Sequence, residues 1–382
     1  MNRMKRIIMS IAITLFLLGC KAEDKKEEGT VTGDTIRIGV ILSMTGGTSA
    51  FGQMTWNGLQ VGKSMRSTVL GKEVELILVD NKSDKIESAN AAQRLIQKDN
   101  VIGIIGDVAS SNSLAIAPIV EESRIPHISP ASTNPLVTQN RKYVFRACFI
   151  DPFQGEVMAK FSYNDLKTTK AAVLTDIGQD YSVGLSDAFA KTFTKLGGRI
   201  VAQLNYQSGD QDFTAQLTAI KQTKPDVIAI TGYYTEIALI ARQAKELGIK
   251  AVMIAGDGAE APELTKIGGD AVEGLYYTTH FDEKAVLTPL GQRYVDLFRK
   301  EHNEAPDALG ALGADAYLIM LGAIEKAGST DSEKIRDEIE KTKDFQGVTG
   351  VMTIDSNHNA LKSVVIRQVR SGEFVYVASV KP

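Results

Sequence analysis

The chain has 382 residues, of which 43% are apolar and 23% charged, with 33 glycines and 10 prolines, so its composition excludes a disordered or fibrous protein. This length exceeds the roughly 250–300 residues at which a single hydrophobic core stops growing, which predicts two domains. The formal net charge is −3, and no sustained basic stripe occurs, which argues against a nucleic-acid partner.

The N-terminus is typical of a secretory signal peptide. Three basic residues within the first six precede the apolar residues 7–18, a run of about 12, which is too short for the roughly 20 that a membrane-spanning helix needs. The run closes in Leu17-Leu18-Gly19-Cys20, which resembles the bacterial lipobox, in which the cysteine is acylated and becomes the mature N-terminus. We therefore expect residues 1–20 to be a signal peptide with a lipobox, and Cys20 to carry the lipid. An ordinary signal peptide that is cut nearby is the alternative.

Residues 21–34 follow as the charged stretch KAEDKKEEGTVTGD, which contains no aromatic residue. Such a segment cannot bury enough apolar surface to order itself, so we expect a flexible tether, with a solvated charged helix as the alternative. Removal of residues 1–19 takes away three of the 43 basic residues and no acidic one, which leaves 40 against 46 and a net charge of −6. The anchored protein is therefore expected to be acidic.

Short apolar runs alternate with amphipathic segments from residue 36 onward. The predicted strands fall into two series, residues 36–42, 74–79, 101–105 and 125–128, and then residues 171–174, 199–204, 227–231, 251–255 and 275–278. Apolar positions at helical spacing predict helices between them, at residues 86–96, 185–196, 213–222 and 237–247. Repeated strand and helix units of this kind build parallel sheets with helices on both faces.

The last third of the chain changes character. Its predicted elements are three helices, a hairpin and a final strand, at residues 290–300, 311–327, 333–341, 351–354 with 363–369, and 374–380. No third series of strands accompanies the late helices. We therefore predict that the chain returns to one of the two lobes formed by the earlier strands. Residues 145–154 carry no clear period and divide the two series of strands, so we place a crossing between lobes there.

The expected architecture is two doubly wound, three-layer α/β lobes joined by a three-segment hinge. The N-terminal lobe is predicted to comprise residues 35–149 and 281–352, and the C-terminal lobe residues 150–280 and 353–382. The three crossings are expected near residues 148–152, 279–281 and 350–358. Ligands of open α/β sheets bind at the carboxyl ends of the strands, which places a binding site in the cleft between the lobes.

The sequence contains no signature of catalysis, and we expect neither an enzyme nor a bound cofactor or metal. Gly256-Asp257-Gly258-Ala259-Glu260-Ala261 fits the weaker form of the dinucleotide fingerprint. That fingerprint needs an acidic residue about 20 positions on, and Tyr277 stands there instead. No nucleophile elbow, phosphate loop or zinc motif occurs, and the four histidines lack ligand spacing.

Polar residues cluster just past two predicted strands of the first series. Residues 107–113, DVASSNS, lead into a predicted helix, and serine hydroxyls with free amides at a helix start favour an anion. Plain helix capping by Ser111 or Ser113 is the alternative. Residues 129–135, SPASTNP, form the second cluster, whose two prolines stiffen the loop.

The chain resembles the extracytoplasmic solute-binding proteins of branched-chain amino acid ABC transporters, which are periplasmic binding proteins of type I. The segments that carry the resemblance are IRIGVILSMTGGTSAFGQ, IPHISPASTNPLVT, FRACFIDPFQG, ITGYYTE and IAGDG followed by GDAVEGLYY. The resemblance covers essentially the whole mature chain, from residue 36 to residue 380. The family has no catalytic residues, which agrees with the missing motifs.

The resemblance implies a ligand-binding set, carried over position by position. In the first lobe, Ser110 is expected to bind the ligand carboxylate, together with the loop that contains Ala131, Ser132 and Thr133. Phe51 stands where an aromatic residue with a polar edge is usual.

From the second lobe, Tyr181, Tyr233 and Asp257 are expected to close over the ligand. Asp257 stands where well-known members carry Glu, and its carboxylate suits an α-ammonium group. Capping of the helix that Pro262 begins is the alternative role for Asp257.

The function implied is capture of a small zwitterionic amino acid, branched-chain or otherwise aliphatic, and its delivery to the permease subunits of an ABC importer. The alternative is an extracytoplasmic sensory domain for an amino acid, an amide or a small carboxylate. We expect a monomer that is tethered through its lipid to the cell envelope, in the periplasm or on the outer face of the cytoplasmic membrane. Cys148 is expected to be a buried apolar residue near the first crossing.

Overall fold

The computed structural model describes residues 35–382, so the predicted signal peptide, Cys20 and the tether lie outside the described residues. The strands are β1 Thr35–Leu42, β2 Thr68–Val69, β3 Lys72–Asp80, β4 Ile104–Gly106, β5 His127–Ser129, β6 Val144–Arg146, β7 Lys170–Asp176, β8 Arg199–Tyr206, β9 Val227–Thr231, β10 Val252–Ala255, β11 Tyr276–Thr279, β12 Phe345–Gly347, β13 Gly350–Ile354, β14 Ala360–Leu361, β15 Val364–Arg370 and β16 Glu373–Val380. The helices are α1 Ser49–Met65, α2 Lys85–Gln97, α3 Ser110–Ser123, α4 Asp151–Lys160, α5 Asp180–Lys195, α6 Thr214–Thr223, α7 Tyr234–Glu246, α8 Pro262–Gly268, α9 Pro289–His302, α10 Ala308–Ala327 and α11 Ser332–Glu340.

The first lobe is built on a six-stranded sheet with the order β2-β3-β1-β4-β5-β6. All neighbours pair in parallel except β2, which joins β3 through a tight antiparallel turn. The central strand β1 is buried from Ile38 to Leu42, as expected for a parallel strand covered on both faces. Helices α2 and α3 pack on one another and on this sheet, and α10 packs with α1.

The second lobe is built on a seven-stranded sheet with the order β16-β15-β11-β10-β9-β7-β8. Strands β7 to β11 are parallel to their neighbours, while β15 and β16 add an antiparallel edge. Strand β9 is buried along its whole length, from Val227 to Thr231. The two doubly wound α/β lobes predicted from the repeated strand and helix units are therefore confirmed.

The predicted hairpin between residues 351–354 and 363–369 is wrong. Strand β13 pairs with β12 on one side and β14 on the other, which makes a separate three-stranded sheet. Strand β15, which was the expected second arm, instead pairs with β11 and β16 in the second lobe. The short strand β14 pairs with β13 in the place where the sequence pattern predicted β15.

Helix α10 is the most apolar long helix of the first lobe. By length and composition it could cross a membrane, but 89% of its apolar window is buried inside the protein, as in the core helix of a soluble fold. It crosses α1 at very short range: a side chain at Gly58 would overlap the backbone of Gly310, and one at Gly62 would meet Ala314. Small residues at these positions allow the two helix backbones to approach.

Most predicted strands and helices are present with shifted ends. The pattern missed β2, β6, β12, β14, α1 and α4. Strand β6 and the start of helix α4 overlap residues 145–154, where the sequence shows no clear period. Helix α4 begins with the buried residues Asp151 and Gln154, so its inward face is partly polar and gives no amphipathic signal.

Candidate ligand-binding cleft

The carboxyl ends of strands from both sheets meet around one enclosed cavity. Its lining consists of nine residues from both lobes: Phe51, Val108, Ser110, Ala131, Tyr181, Tyr233, Asp257, Gly258 and Leu309. The cavity between them is small, with a volume of ≈ 20 Å³. All nine residues are buried.

Six of the eight predicted ligand-binding residues line this cavity, and they come from both lobes. Ser110 is the first residue of α3, and its hydroxyl accepts a hydrogen bond from the backbone of Asn134 at 3.2 Å. Ala131 follows β5 and faces the same space. The start of α3 and the loop after β5 therefore present hydroxyl and backbone groups suited to an anion.

Ser132 and Thr133 lie beside the cavity lining. The Ser132 hydroxyl donates to the Asp107 carbonyl at 3.0 Å and contacts the Ser113 hydroxyl at 2.7 Å, which ties the loop to the end of β4. The Thr133 hydroxyl is buried and has no hydrogen-bond partner within the described residues. The Thr133 hydroxyl lies close to the Asp151 carboxyl group and lowers its pKa.

Neither Ser111 nor Ser113 caps helix α3, so that alternative is wrong. The N-cap position is Ala109, and no side chain caps the helix there. The Ser113 hydroxyl donates to the Asp107 carbonyl at 3.0 Å, and the Ser111 hydroxyl reaches across to the second lobe. The amides of Asn112 and Ser113 donate to the Ala109 carbonyl, so within the described residues only the Ser110 and Ser111 amides are left for another partner.

Three aromatic side chains form one wall of the cavity. Tyr181 and Tyr233 stack with ring centroids 5.5 Å apart and planes 4° from parallel, and Phe51 meets Tyr233 edge to face at 5.5 Å. Burial raises the pKa of both tyrosines well above its usual value, so both phenols stay neutral. The Tyr181 hydroxyl accepts from the Gly258 backbone at 3.1 Å, whereas the buried Tyr233 hydroxyl has no partner within the described residues.

Asp257 places a carboxylate in the cavity lining, directly after β10. One carboxylate oxygen accepts from Gln154 Nε2 at 2.9 Å, and the other contacts His280 Nε2 at 2.9 Å. Helix α8 has Ala261 as its N-cap, with no side-chain hydrogen bond, so the alternative that Asp257 caps this helix is wrong.

Asp151 supplies a second carboxyl group close by. It is fully buried at the start of α4, and neither carboxyl oxygen has a hydrogen-bond partner within residues 35–382. Burial raises the pKa of Asp151 well above its usual value, and Asp257 raises it further, while Thr133 and Arg146 lower it. Burial of two neighbouring carboxyl groups costs free energy, and a cation bound between them would lower that cost.

Sequence comparison identifies the fold family. The family model described as "Periplasmic binding protein" matches residues 35–373. The chain belongs to this family.

Solved structures and curated relatives of this periplasmic binding protein agree with the family assignment. The leucine-binding protein LivK of Thermotoga maritima is 54% identical with a TM-score of 0.90, and the match covers 91% of this chain and 99% of LivK. The substrate-binding protein LivJ of Streptococcus pneumoniae, solved with isoleucine, is 29% identical with a TM-score of 0.86, over 91% of this chain and all of LivJ (100%). A Leu/Ile/Val-binding protein of Rhizobium johnstonii, BraC3, is 31% identical over 323 residues, which are 83% of this chain and 87% of BraC3.

These relatives are binding proteins rather than enzymes, and the family works outside the cytoplasm as the solute-capturing part of ABC importers. By its family, the chain is therefore an extracytoplasmic solute-binding protein. The two polar clusters that the sequence shows after strands of the first series lie where the first lobe faces the cavity.

Three polar residues beside Asp257 were not found by sequence reasoning. Asp151 and Gln154 lie in the FRACFIDPFQG segment, which was noticed only as part of the family resemblance. His280 was considered only as a possible metal ligand. A signal for Asp151 and Gln154 does exist, because two polar residues three positions apart at a helix start share one face.

The two lobes also touch directly at the edge of the cavity. The Ser111 hydroxyl donates to Asp180 at 2.8 Å and accepts from the Asp180 backbone at 3.0 Å. The Asn134 side chain donates to the Asp180 carbonyl at 2.7 Å. We call this group of Ser111, Asn134 and Asp180 the interlobe clasp.

Proposed function

We propose that the protein captures a branched-chain amino acid in the cleft. The observation that carries the proposal is the distribution of polar groups around the cavity. Hydroxyl and amide groups at Ser110 and Thr133 come from the first lobe, and the carboxylates of Asp151 and Asp257 come from the second. A zwitterion satisfies both ends at once, because its carboxylate meets the hydroxyls and amides while its ammonium meets the carboxylates.

The ligand side chain then meets the apolar part of the lining. Phe51, Val108 and Leu309 come from the first lobe, and the stacked rings of Tyr181 and Tyr233 face them from the second. Aliphatic side chains gain from burial against such a surface, at roughly 25 cal/mol per Å². The names of LivK and BraC3, together with the isoleucine bound to LivJ, support the same choice.

The ligand closes the cleft, because neither lobe alone offers partners for both charges. The hinge consists of three crossings between an N-terminal lobe of residues 35–149 and 281–352 and a C-terminal lobe of residues 150–280 and 353–382. The closed, loaded protein then delivers the amino acid to the permease. No bond in the ligand is made or broken.

A thermal-shift panel tests the ligand class. We expect L-leucine, L-isoleucine and L-valine to raise the melting temperature, and the corresponding deaminated acids to have a smaller effect. A ligand at about 100 times its dissociation constant stabilises a fold by about 2.7 kcal/mol, which such a measurement resolves. Stabilisation by deaminated or aromatic acids, with no effect of any amino acid, would contradict the proposal.

We also propose that Cys20 is acylated and that the mature protein is a lipid-anchored monomer in the periplasm or on the outer face of the cytoplasmic membrane. The lipobox and the charged stretch of residues 21–34 support this. A Cys20→Ala variant is expected to appear in the soluble fraction, while the wild type remains in the membrane fraction until detergent is added. Cys148→Ala is the matched control, because it removes the buried cysteine and should leave the protein membrane-bound. Salt-resistant membrane binding of the Cys20→Ala variant would contradict the anchor.

A further inference from the structure

His280 lies in the second crossing of the proposed hinge and contacts Asp257 of the ligand site. It follows β11 directly, and only 1% of its surface is exposed. Its ring stacks on Phe149 with centroids 3.8 Å apart and planes 23° from parallel. Its Nε2 atom lies 2.9 Å from Asp257 Oδ2. The ring is therefore fixed on one side by an aromatic face and on the other by the carboxylate that faces the cavity.

The proton in this contact belongs to the histidine. An ionised carboxylate can only accept a hydrogen bond, so His280 donates through Nε2 and leaves Nδ1 unprotonated in the neutral ring. Burial lowers the pKa of His280, the nearby Lys362 lowers it further, and Asp257 raises it. A neutral donor holds Asp257 without cancelling the negative charge that attracts a cation.

Gln154 holds the same carboxylate from a different element. Its Nε2 atom donates to Asp257 Oδ1 at 2.9 Å and also to the Thr278 hydroxyl at 3.0 Å. Each carboxylate oxygen thus has one fixed donor, and each retains a further lone pair. The carboxylate is aimed at the cavity by two neutral donors, one on α4 and one just past β11.

We propose that His280 is a positioning residue that aims the Asp257 carboxylate at the ligand and thereby makes binding depend on an ammonium group. The inference rests on the proposed function, in which Asp257 is the partner of the ligand ammonium. His280 itself need not touch the ligand. We expect His280 to raise the affinity only of ligands that carry an ammonium group.

Calorimetric titration with L-leucine and with 4-methylpentanoate, which is leucine without its ammonium, tests this role. His280→Leu removes the donor at similar volume, and His280→Gln keeps a neutral N–H donor. We expect His280→Leu to weaken L-leucine binding by roughly 10- to 100-fold, as for a lost hydrogen bond to a charged group, with no change for 4-methylpentanoate. His280→Gln should restore most of the L-leucine affinity.

His358→Leu is the matched control. His358 is also buried and stacks on an aromatic ring, Phe145, at 4.1 Å, but its Nδ1 atom contacts the Val144 carbonyl. Its Nε2 atom lies 3.6 Å from Glu340, a carboxylate that does not line the cavity. This variant should leave the ratio of the two affinities unchanged. An equal loss of both probes in His280→Leu would show a merely structural role for His280, and an unchanged L-leucine affinity would also overturn the inference.

Ring nitrogen NMR of ¹⁵N-histidine-labelled protein gives a measurement that does not need a ligand. The His280 ring, assigned by its loss in His280→Gln, should be neutral and protonated at Nε2 at pH 7, and Asp257→Asn should shift its signals. A ring protonated at Nδ1, or one that Asp257→Asn leaves unchanged, would overturn the positioning role. A wild type that binds no amino acid would instead contradict the proposed function, and the ring spectrum would still decide the role of His280.

Discussion

Asp257→Asn is expected to weaken amino-acid binding more than any other single change in the cleft. The substitution keeps the size of the side chain but removes the negative charge that faces the cavity. The ligand ammonium would then be enclosed without one of its charged partners, and such a loss typically costs about 2–5 kcal/mol, or roughly 30- to several-thousand-fold in affinity. Calorimetric titration with the best ligand of the panel measures the loss.

Ser110→Ala provides the comparison for this effect. It removes one hydroxyl while the backbone amides at the start of α3 remain, so the loss should be nearer about 1 kcal/mol, a usual value for one net hydrogen bond. The prediction is that Asp257→Asn loses more affinity than Ser110→Ala. An Asp257→Asn variant that binds as tightly as the wild type would leave Asp151 as the partner of the ammonium, and Asp151→Asn would then carry the large loss.

The second large effect concerns stability and the crossing of α1 with α10. At Gly58 an added methyl group would overlap the carbonyl of Gly310, and backbone cannot move aside as a side chain can. Gly58→Ala is therefore expected to lower the free energy of unfolding by roughly 1–3 kcal/mol, the usual cost of overpacking, although alanine favours helices over glycine. Urea denaturation of the protein without added ligand measures the change.

Gly322→Ala is the control within the same pair of helices. Gly322 also lies in α10, but an added methyl group there meets no atom within 4 Å. The substitution should raise the free energy of unfolding by up to about 1 kcal/mol, because glycine is a poor helix former. If both variants were less stable than the wild type, helix propensity and the distance between the two helices would not explain the changes in unfolding free energy.

Because Leu309 adjoins Gly310 and lines the cavity, Gly58→Ala should also weaken ligand binding.

The repeated strands could be predicted because burial on both faces makes a parallel strand a continuous apolar run. Residues 227–231 illustrate this: the predicted strand and β9 coincide. The connection of the late strands could not be predicted in the same way. Two β runs separated by a short polar stretch look like a hairpin, and no local signal shows that β15 leaves for a different sheet from β13.

The candidate site was predictable where a cluster of polar residues follows a strand, as at Ser110 and Ala131. Asp151 and His280 are single polar residues at element ends, and local sequence does not distinguish such residues from surface positions. Such residues matter because they are buried close to Asp257. Gln154, which donates to Asp257, lies more than 100 residues away from it in the sequence. Pairing over such a separation depends on the tertiary fold.

The interlobe clasp has a consequence for how quickly the protein exchanges its cargo. Its hydrogen bonds join Ser111 and Asn134 to Asp180, and no solute atom takes part in them. Their contribution to closure is therefore the same for every solute, at about 1 kcal/mol or less for each bond near the surface. The clasp lengthens the residence time of all solutes by one common factor. Selectivity and release rate can thus change separately, the first at Asp257 and the aromatic wall, the second at the clasp.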